Sequence, residues 1–254
     1  MPKKPKTQQK EDLVEVNGRD QFHTPNYAVD LLVPYLKQLR IMHPMEQEHP
    51  TDKFRIWEPA AGLGKIVNRL KFWEFDVFGT DLSEGENFLT QEVVQEFDCI
   101  VTNPPFSLKK KFYEHCLIWR KPFALLVPCD YSTWVIQAKK AGAEVIVPDK
   151  RIDYITPNIL QRIHEGEIWD KIKNELLSTW TLKEFKERFP EQWRMELSQN
   201  DGYCDWTSIY SVPSIYLKKY SSSYYHSMWL TKGFGLGKSE TFVELTNDQK
   251  KFGI

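Results

Sequence analysis

The feature that most constrains the fold of this chain is a regular alternation of short apolar runs with helix-like stretches between Phe54 and Val147. Strands that alternate with helices are typical of crossover connections, which place parallel strands in one sheet and helices on both of its faces. The alternation therefore predicts an α/β fold with a doubly wound, mostly parallel sheet. The predicted strands are 54–58, 76–81, 97–102, 123–128 and 144–147, and the predicted helices are 65–73, 110–119 and 133–141.

The segments on either side of this core have different patterns. Residues 1–20 are rich in Lys and lack periodicity, which predicts a flexible basic arm or, alternatively, a tail that touches phosphate. Residues 27–39 carry one apolar helical face after an extended segment that ends at Pro25, so we expect a helix there. Late candidate strands are 151–155, 227–231 and 241–245, the last two as an antiparallel pair around 233–237.

The stretch 158–220 does not continue this alternation of strands and helices and is rich in aromatic and charged residues. Residues 181–184 (TLKE) match a helix-capping box, and Phe185 and Phe189 follow on one helical face. We expect an inserted, helical subdomain before the last strands. The main domain is then formed by 21–157 together with 221–254.

Composition sets limits on the class of protein. The chain has 41% apolar and 14% aromatic residues, which favours a globular protein over a disordered one. No apolar run approaches the ~20 residues of a membrane span, so we expect no membrane partner and a cytoplasmic location.

Scattered cysteines predict reduced thiols rather than disulfides or a zinc site, and we expect no metal. The formal charge of -1 neither supports nor excludes a nucleic-acid partner. The cysteines are Cys99, Cys116, Cys129 and Cys204.

A glycine-rich turn follows the first predicted strand, where a doubly wound sheet binds nucleotide-like ligands. Asp81 ends the next strand, where a carboxylate can accept both hydroxyls of a ribose. Glu58 adds a second acid that would repel a pyrophosphate but attract the charged amino group of S-adenosylmethionine. The crevice therefore fits that cofactor better than NAD. The residues of the turn are Glu58, Pro59, Ala60, Ala61, Gly62, Leu63 and Gly64.

The second informative segment is Asn103, Pro104, Pro105 and Phe106, directly after an apolar strand. The two prolines forbid a continuing strand and an immediate helix, so the loop is stiff. The Asn103 oxygen and the Pro104 carbonyl could accept the two N–H bonds of an adenine amino group and turn its lone pair toward a methyl donor. Both acceptors act most strongly as positive charge develops on that nitrogen, which stabilises the transition state. No catalytic His or Cys is required.

Two neighbouring features fit a nucleic-acid substrate. Phe106 could stack on a flipped base, an interaction worth ~1–3 kcal/mol, which is comparable to the cost of unstacking a nucleotide. Lys109, Lys110 and Lys111 open the next predicted helix and could hold a phosphate of the target strand. The alternative for these lysines is a solvated basic face.

These motifs together resemble the N6-adenine amino-methyltransferases of DNA, whose hallmark is an Asn/Asp-Pro-Pro-aromatic loop after a sheet strand. The resemblance covers about residues 21–156 and returns faintly at 224–245. It implies a Rossmann-like class I methyltransferase fold with S-adenosylmethionine as the cofactor. The residues that it assigns to the cofactor are Phe22, Thr24 and Pro25 at the methionine part, Glu58, Ala60, Ala61, Gly62 and Gly64 in the glycine-rich motif, and Asp81, Leu82, Asn87, Phe88 and Phe112 around the adenosine.

The chain departs from the family pattern in several places. Asn87 stands where the family has Asp, although its side-chain oxygen still accepts a hydrogen bond. We expect a form without the family's large C-terminal recognition domain, in which the insert at 158–220 either takes that role or forms a helical cap. Tyr224 and Tyr225 could supply the second face of a base sandwich or be core or hairpin aromatics.

Several functional alternatives remain open from sequence. DNA is the polymer that the resemblance implies, but the same loop serves RNA adenine methyltransferases. Cytosine N4-methylation and glutamine methylation on a protein are disfavoured by the loop residues. A catalytically silent nucleic-acid-binding partner subunit is the alternative that is not an enzyme. We expect a monomer or weak dimer in the cytoplasm, or in the host-cell cytoplasm if the chain is viral, with a role in restriction-modification, regulation or phage counter-defence.

Overall fold

The secondary structure follows the alternation of the sequence closely. The structure is a computed structural model that describes residues 22–42, 54–90, 95–154, 225–246 and 249. No helix in these ranges is long and apolar enough to cross a membrane. Their helices are α1 (Asn26–Asp30), α2 (Val33–Ile41), α3 (Lys65–Phe72), α4 (Lys109–Trp119) and α5 (Thr133–Lys140), and their strands are β1 (Arg55–Glu58), β2 (Asp76–Gly79), β3 (Cys99–Thr102), β4 (Phe123–Pro128), β5 (Glu144–Pro148), β6 (Ser227–Lys232) and β7 (Glu240–Val243).

Some predictions fall outside these ranges. They are the basic arm at 1–20, the insert at 158–220 with the capping box within it, Cys204 and Tyr224.

The strands form one mixed sheet in the order β2-β1-β3-β4-β6-β5-β7. Strands β1 to β4 pair in parallel, β6 is antiparallel to both β4 and β5, and β7 is parallel to β5. The α/β class is therefore confirmed with a seven-stranded mixed sheet.

The predicted antiparallel pairing of the two late strands is wrong. Strand β6 is buried along almost its whole length and lies between β4 and β5, whereas β7 is half-exposed and lies at the edge. Burial on both faces is typical of a strand in the interior of a sheet, and the two edges of β6 pair with β4 and β5 instead of with β7.

The sheet separates two hydrophobic clusters because successive side chains of a strand point to opposite faces. Ile56 of β1 packs into one cluster with α1, α2 and α3, while Trp57 packs into the other with α4 and α5. Leu126 and Leu125 of β4 divide in the same way. Helices therefore cover both faces, as the alternation predicts.

Two local predictions are corrected. The helix expected over 27–39 is broken between α1 and α2, because Pro34 has no N–H for the carbonyl of Asp30 and its ring would clash with it. Residues 151–154 are not a strand. The amide of Asp153 donates to the hydroxyl of Tyr27 at 2.6 Å instead of to a neighbouring strand.

A buried ion pair joins α1 to α3. Arg69 donates to both carboxylate oxygens of Asp30, from Nε at 2.7 Å and from Nη2 at 2.8 Å, and Trp73 Nε1 donates to the same carboxylate at 2.7 Å. Both charged side chains are largely buried, at 7% and 12% exposure. Since α1 directly follows the segment 22–25, this pair also helps to position that segment.

Replacing Asp30 by Ala should lower the free energy of unfolding by about 3–5 kcal/mol, because it removes the carboxylate that faces a buried guanidinium. Urea denaturation measures the change. The matched control is Glu114→Ala, which breaks an exposed pair with Lys110 and should cost under about 0.5 kcal/mol. A loss for Asp30→Ala no larger than that of the control would contradict the structural role of the pair.

Candidate functional site

The order of the strands creates a crevice at the carboxyl ends of β1 and β3. From β1 the chain passes to β2 on one side, and β3 then pairs on the other side of β1. Ligands of open α/β sheets bind at such a switch point. A cavity of about 610 Å³ opens there, which is within the size range of small-molecule sites.

Most of the sequence-predicted residues line this cavity, together with residues that the sequence reasoning missed. The predicted residues that do not line it are Pro25, Gly64, Pro104, Phe106, Lys109, Lys110, Lys111 and Tyr225. The predicted residues at the cavity wall are Phe22, Thr24, Glu58, Ala60, Ala61, Gly62, Asp81, Leu82, Asn87, Phe88, Asn103, Pro105 and Phe112.

The backbone N–H groups of the glycine-rich turn donate to acceptors within the chain. The amide of Ala60 donates to Glu58 Oε1 at 3.1 Å, and that of Gly62 donates to Asp81 Oδ2 at 2.8 Å. The amides of Ala61 and Gly64 donate to backbone carbonyls. A phosphate-binding loop offers such N–H groups to its ligand, whereas here these four are already used. The turn is therefore not arranged to hold a pyrophosphate.

Glycines allow this turn to form. Gly62 and Gly64 have φ of +50° and +71°, which non-glycine residues rarely adopt. At Gly79, the last residue of β2, a Cβ would lie 2.8 Å from Ala61 Cβ and 3.0 Å from Val67 Cγ2. The end of β2 thus packs directly under the turn.

Glu58 is a buried carboxyl group at the wall of the cavity. Its exposed fraction is 1%, and its Oε2 has no hydrogen-bond partner among the described residues. Burial, together with the nearby charge of Asp81, raises the pKa of Glu58 to about 8, although the nearby Thr102 hydroxyl and the Ala60 amide oppose this rise. Such a carboxyl needs a cationic or hydrogen-bonding partner from a ligand to become a stable anion.

Asp81 behaves differently because its oxygens are well supplied with donors. Ser83 donates to Oδ1 from its amide at 2.9 Å and from its hydroxyl at 2.7 Å. Burial raises the pKa of Asp81, but the Ser83 and Gly62 donors outweigh this effect and hold the pKa below its usual value. Asp81 is thus an anion at neutral pH, and its oxygens can still accept from a ligand hydroxyl.

An apolar and aromatic wall lies beyond Asp81. Phe88 is buried, with its ring centroid 4.8 Å from that of Phe112, and both residues line the cavity. Asn87 Oδ1 accepts a hydrogen bond from the Leu89 amide at 3.1 Å. That oxygen retains one further acceptor position for a ligand donor.

Asn103 follows β3 and is fixed in one orientation by the N-terminal segment. Its Nδ2 donates to the carbonyl of Phe22 at 2.7 Å. Because a carbonyl only accepts, this contact assigns the nitrogen and oxygen of the amide. Oδ1 is left as the acceptor, and it has no partner among the described residues. Asn103 contributes to the cavity wall, and this unpaired acceptor is buried beside the cavity.

Phe106 lies just outside the cavity in a group of aromatic rings. Phe22 stacks on it with centroids 4.9 Å apart and an interplanar angle of 22°, and Tyr154 packs edge-to-face at 5.8 Å. Tyr225, which is 54% exposed, also approaches edge-to-face at 6.3 Å. A base that stacks on Phe106 must therefore use the face opposite Phe22 or displace the Phe22 ring.

Two of the three predicted phosphate-binding lysines pair with carboxylates of the protein. Lys109 Nζ lies 2.9 Å from Asp130 and Lys110 Nζ lies 3.5 Å from Glu114. Lys111 is exposed in the first turn of α4. The positive charge of this run is thus partly offset within the protein.

His23 and Lys65 are cavity residues that sequence reasoning missed. Burial lowers the pKa of Lys65 to about 7, and burial with the nearby Lys65 charge lowers the pKa of His23 to about 4. A signal was present for both. His23 lies between Phe22 and Thr24, and Lys65 directly follows the last glycine of the turn.

Comparisons with protein-family models and with curated protein sequences find no match to this chain.

Replacing Glu58 by Gln should remove one loss of stability that occurs as pH rises. The folded state keeps the Glu58 proton up to about pH 8, whereas the unfolded chain loses it near the ordinary value of 4.5. The contribution of Glu58 to stability is full below the unfolded pKa and is lost as pH rises through the folded pKa. Relative to Glu58→Gln, the wild type should therefore lose free energy of unfolding between about pH 5 and 8, as measured by urea denaturation.

Lys65 and His23 titrate in both proteins, so the difference between wild type and variant isolates Glu58. A difference that stays constant across this pH range would mean that Glu58 is already ionised and paired, contrary to its buried position.

Proposed function

We propose that this chain transfers a methyl group from S-adenosylmethionine to the N6 amino group of adenine in DNA. The observation that carries the proposal is the orientation of Asn103. Its amide nitrogen is held by the Phe22 carbonyl at 2.7 Å, and its Oδ1 is buried at the cavity wall with no hydrogen-bond partner among the described residues. An amino group with two N–H donors is the substrate group that such an acceptor fits.

We also propose that the fold is that of a Rossmann-like class I methyltransferase. The parallel order β2-β1-β3-β4 has its switch point between β1 and β3, with the cavity at their carboxyl ends. This is the place where doubly wound α/β proteins bind nucleotide-like ligands.

The donors and acceptors of the cavity support the choice of cofactor. S-adenosylmethionine supplies a methyl group on a positively charged sulfur. The buried Glu58 fits the ammonium group of its amino-acid end, and Asp81 fits its ribose hydroxyls. The turn amides are used within the protein, which disfavours the pyrophosphate of a dinucleotide. Asn87, Phe88 and Phe112 provide an acceptor and two rings for the cofactor's adenine.

The catalytic role of Asn103 follows from hydrogen bonding. The lone pair of an adenine amino group is delocalised into the ring, so the nitrogen is a poor nucleophile. Acceptance of its N–H bonds by Asn103 Oδ1 and the Pro104 carbonyl favours a tetrahedral nitrogen. These acceptors also stabilise the positive charge that develops on it, and the proton leaves afterwards to solvent.

The aromatic group around Phe106 supports a base as the substrate. Tyr225 is exposed and lies edge-to-face against Phe106 at 6.3 Å, so a flipped base has two aromatic side chains near the catalytic loop. Lys111, in the first turn of the helix that follows this loop, adds an exposed positive charge for a phosphate contact. DNA, rather than RNA, is proposed because the resembled family acts on it.

The direct test uses S-adenosylmethionine with an isotopically labelled methyl group, incubated with the full chain and either DNA or RNA. The polymer is then digested to nucleosides, which are identified by mass spectrometry. We expect labelled N6-methyldeoxyadenosine. Label only in ribonucleosides, cytosine or protein would contradict the proposed substrate, and cofactor binding without any transfer would favour a silent binding partner.

Asn103→Ala should lower kcat by about 100- to 1,000-fold, because it removes one preorganised acceptor of the transition state. Its affinity for S-adenosylmethionine, measured by calorimetry, should change little. The matched control is Asn68→Ala on the exposed side of α3, which should retain full activity. Full activity of Asn103→Ala would overturn the mechanism, even if the methylated product is the expected one.

A further inference from the structure

The cavity has a buried cationic group as well as a buried acid. Lys65, the first residue of α3, is only 7% exposed and lines the cavity, as does Glu58 at 1% exposure. Withdrawal from water disfavours the charged form of both groups, so a ligand that carries an ammonium and a carboxylate would supply each with a partner of opposite charge.

The surroundings of Lys65 favour an anionic ligand group beside it. The first turn of a helix has backbone N–H groups without intrahelical acceptors and a positive electrostatic potential. Lys65 and Ile66 belong to that turn, and both line the cavity. The nearby His23 has its pKa lowered to about 4, so its ring is neutral at pH 7 and does not compete with Lys65 for an anionic group.

Glu58 supplies an independent observation that a ligand belongs here. Its Oε2 is buried and has no hydrogen-bond partner among the described residues. An ammonium group of a ligand would supply that partner. A ligand with an ammonium beside Glu58 would then have its anionic group available for Lys65.

We propose that Lys65 binds the α-carboxylate of the cofactor's amino-acid end, while Glu58 binds its α-ammonium group. This assignment rests on the proposed function and deepens it, because it makes Lys65 the residue that selects a cofactor with an intact carboxylate. Lys65 is thus a specificity-determining residue for the cofactor and not part of methyl transfer itself.

The test compares the binding of S-adenosylmethionine with that of decarboxylated S-adenosylmethionine, which lacks only the carboxylate. Wild-type protein should prefer S-adenosylmethionine by about 10- to 100-fold in calorimetry, the range for a charged hydrogen bond. Lys65→Met keeps the length of the side chain and removes its charge. This variant should lose the preference because its affinity for S-adenosylmethionine falls. Its affinity for decarboxylated S-adenosylmethionine should equal that of the wild type.

Lys71→Met, an exposed position of the same helix, is the matched control and should keep the wild-type preference. If Lys65→Met does not fold, Lys65→Gln takes its place with the same expected result.

The possible failures are distinguishable. Wild type that binds neither compound would overturn the proposed cofactor together with the role of Lys65. Wild type that binds S-adenosylmethionine without preference would overturn the Lys65 assignment alone. The same conclusion would follow if a folded Lys65 variant kept the preference, or if its affinity for both compounds fell equally. These last results leave the proposed methyltransferase function intact.

Discussion

The burial of the central sheet on both faces is the constraint on which the rest of the structure depends. Helices α1 to α3 cover one face and α4 and α5 cover the other, so inward-pointing residues such as Ile56 and Trp57 are both apolar. Polar side chains of these strands can then reach a ligand only at a strand end. Glu58, Asp81 and Asn103 come from the carboxyl ends of three parallel strands, and they meet at one cavity for this reason.

The N-terminal segment completes that cavity from the other side. Phe22 holds Asn103 through its carbonyl and stacks on Phe106 through its ring. The Asp30–Arg69 pair ties the following helix to α3, which begins with Lys65. The proposed catalytic acceptor and the proposed cofactor site are thus linked through residues 22–30. A displacement of this segment would alter both.

The sequence predicted the α/β class, the strand ends and most of the cavity wall, because each depends on local patterns of apolar residues, glycines and prolines. It failed where distant contacts decide the outcome. The neighbours of β6 depend on burial from both faces, and the break before α2 depends on Pro34 in an otherwise apolar helical face. Lys65 was overlooked because a charged first residue of a helix is ordinarily solvated, whereas here the packing around it leaves it 7% exposed. The stacking of Phe22 on Phe106 joins residues far apart in the chain and has no local signature.

The central proposal for this protein is that one cavity holds S-adenosylmethionine with its reactive end toward Asn103. A crystal structure with S-adenosylhomocysteine, the product form of the cofactor, tests this most directly. The account predicts electron density in the cavity with the ribose at Asp81, the amino-acid end between Glu58 and Lys65, and the sulfur on the side of Asn103. An empty cavity at saturating ligand, or a ligand whose sulfur faces away from Asn103, would contradict it.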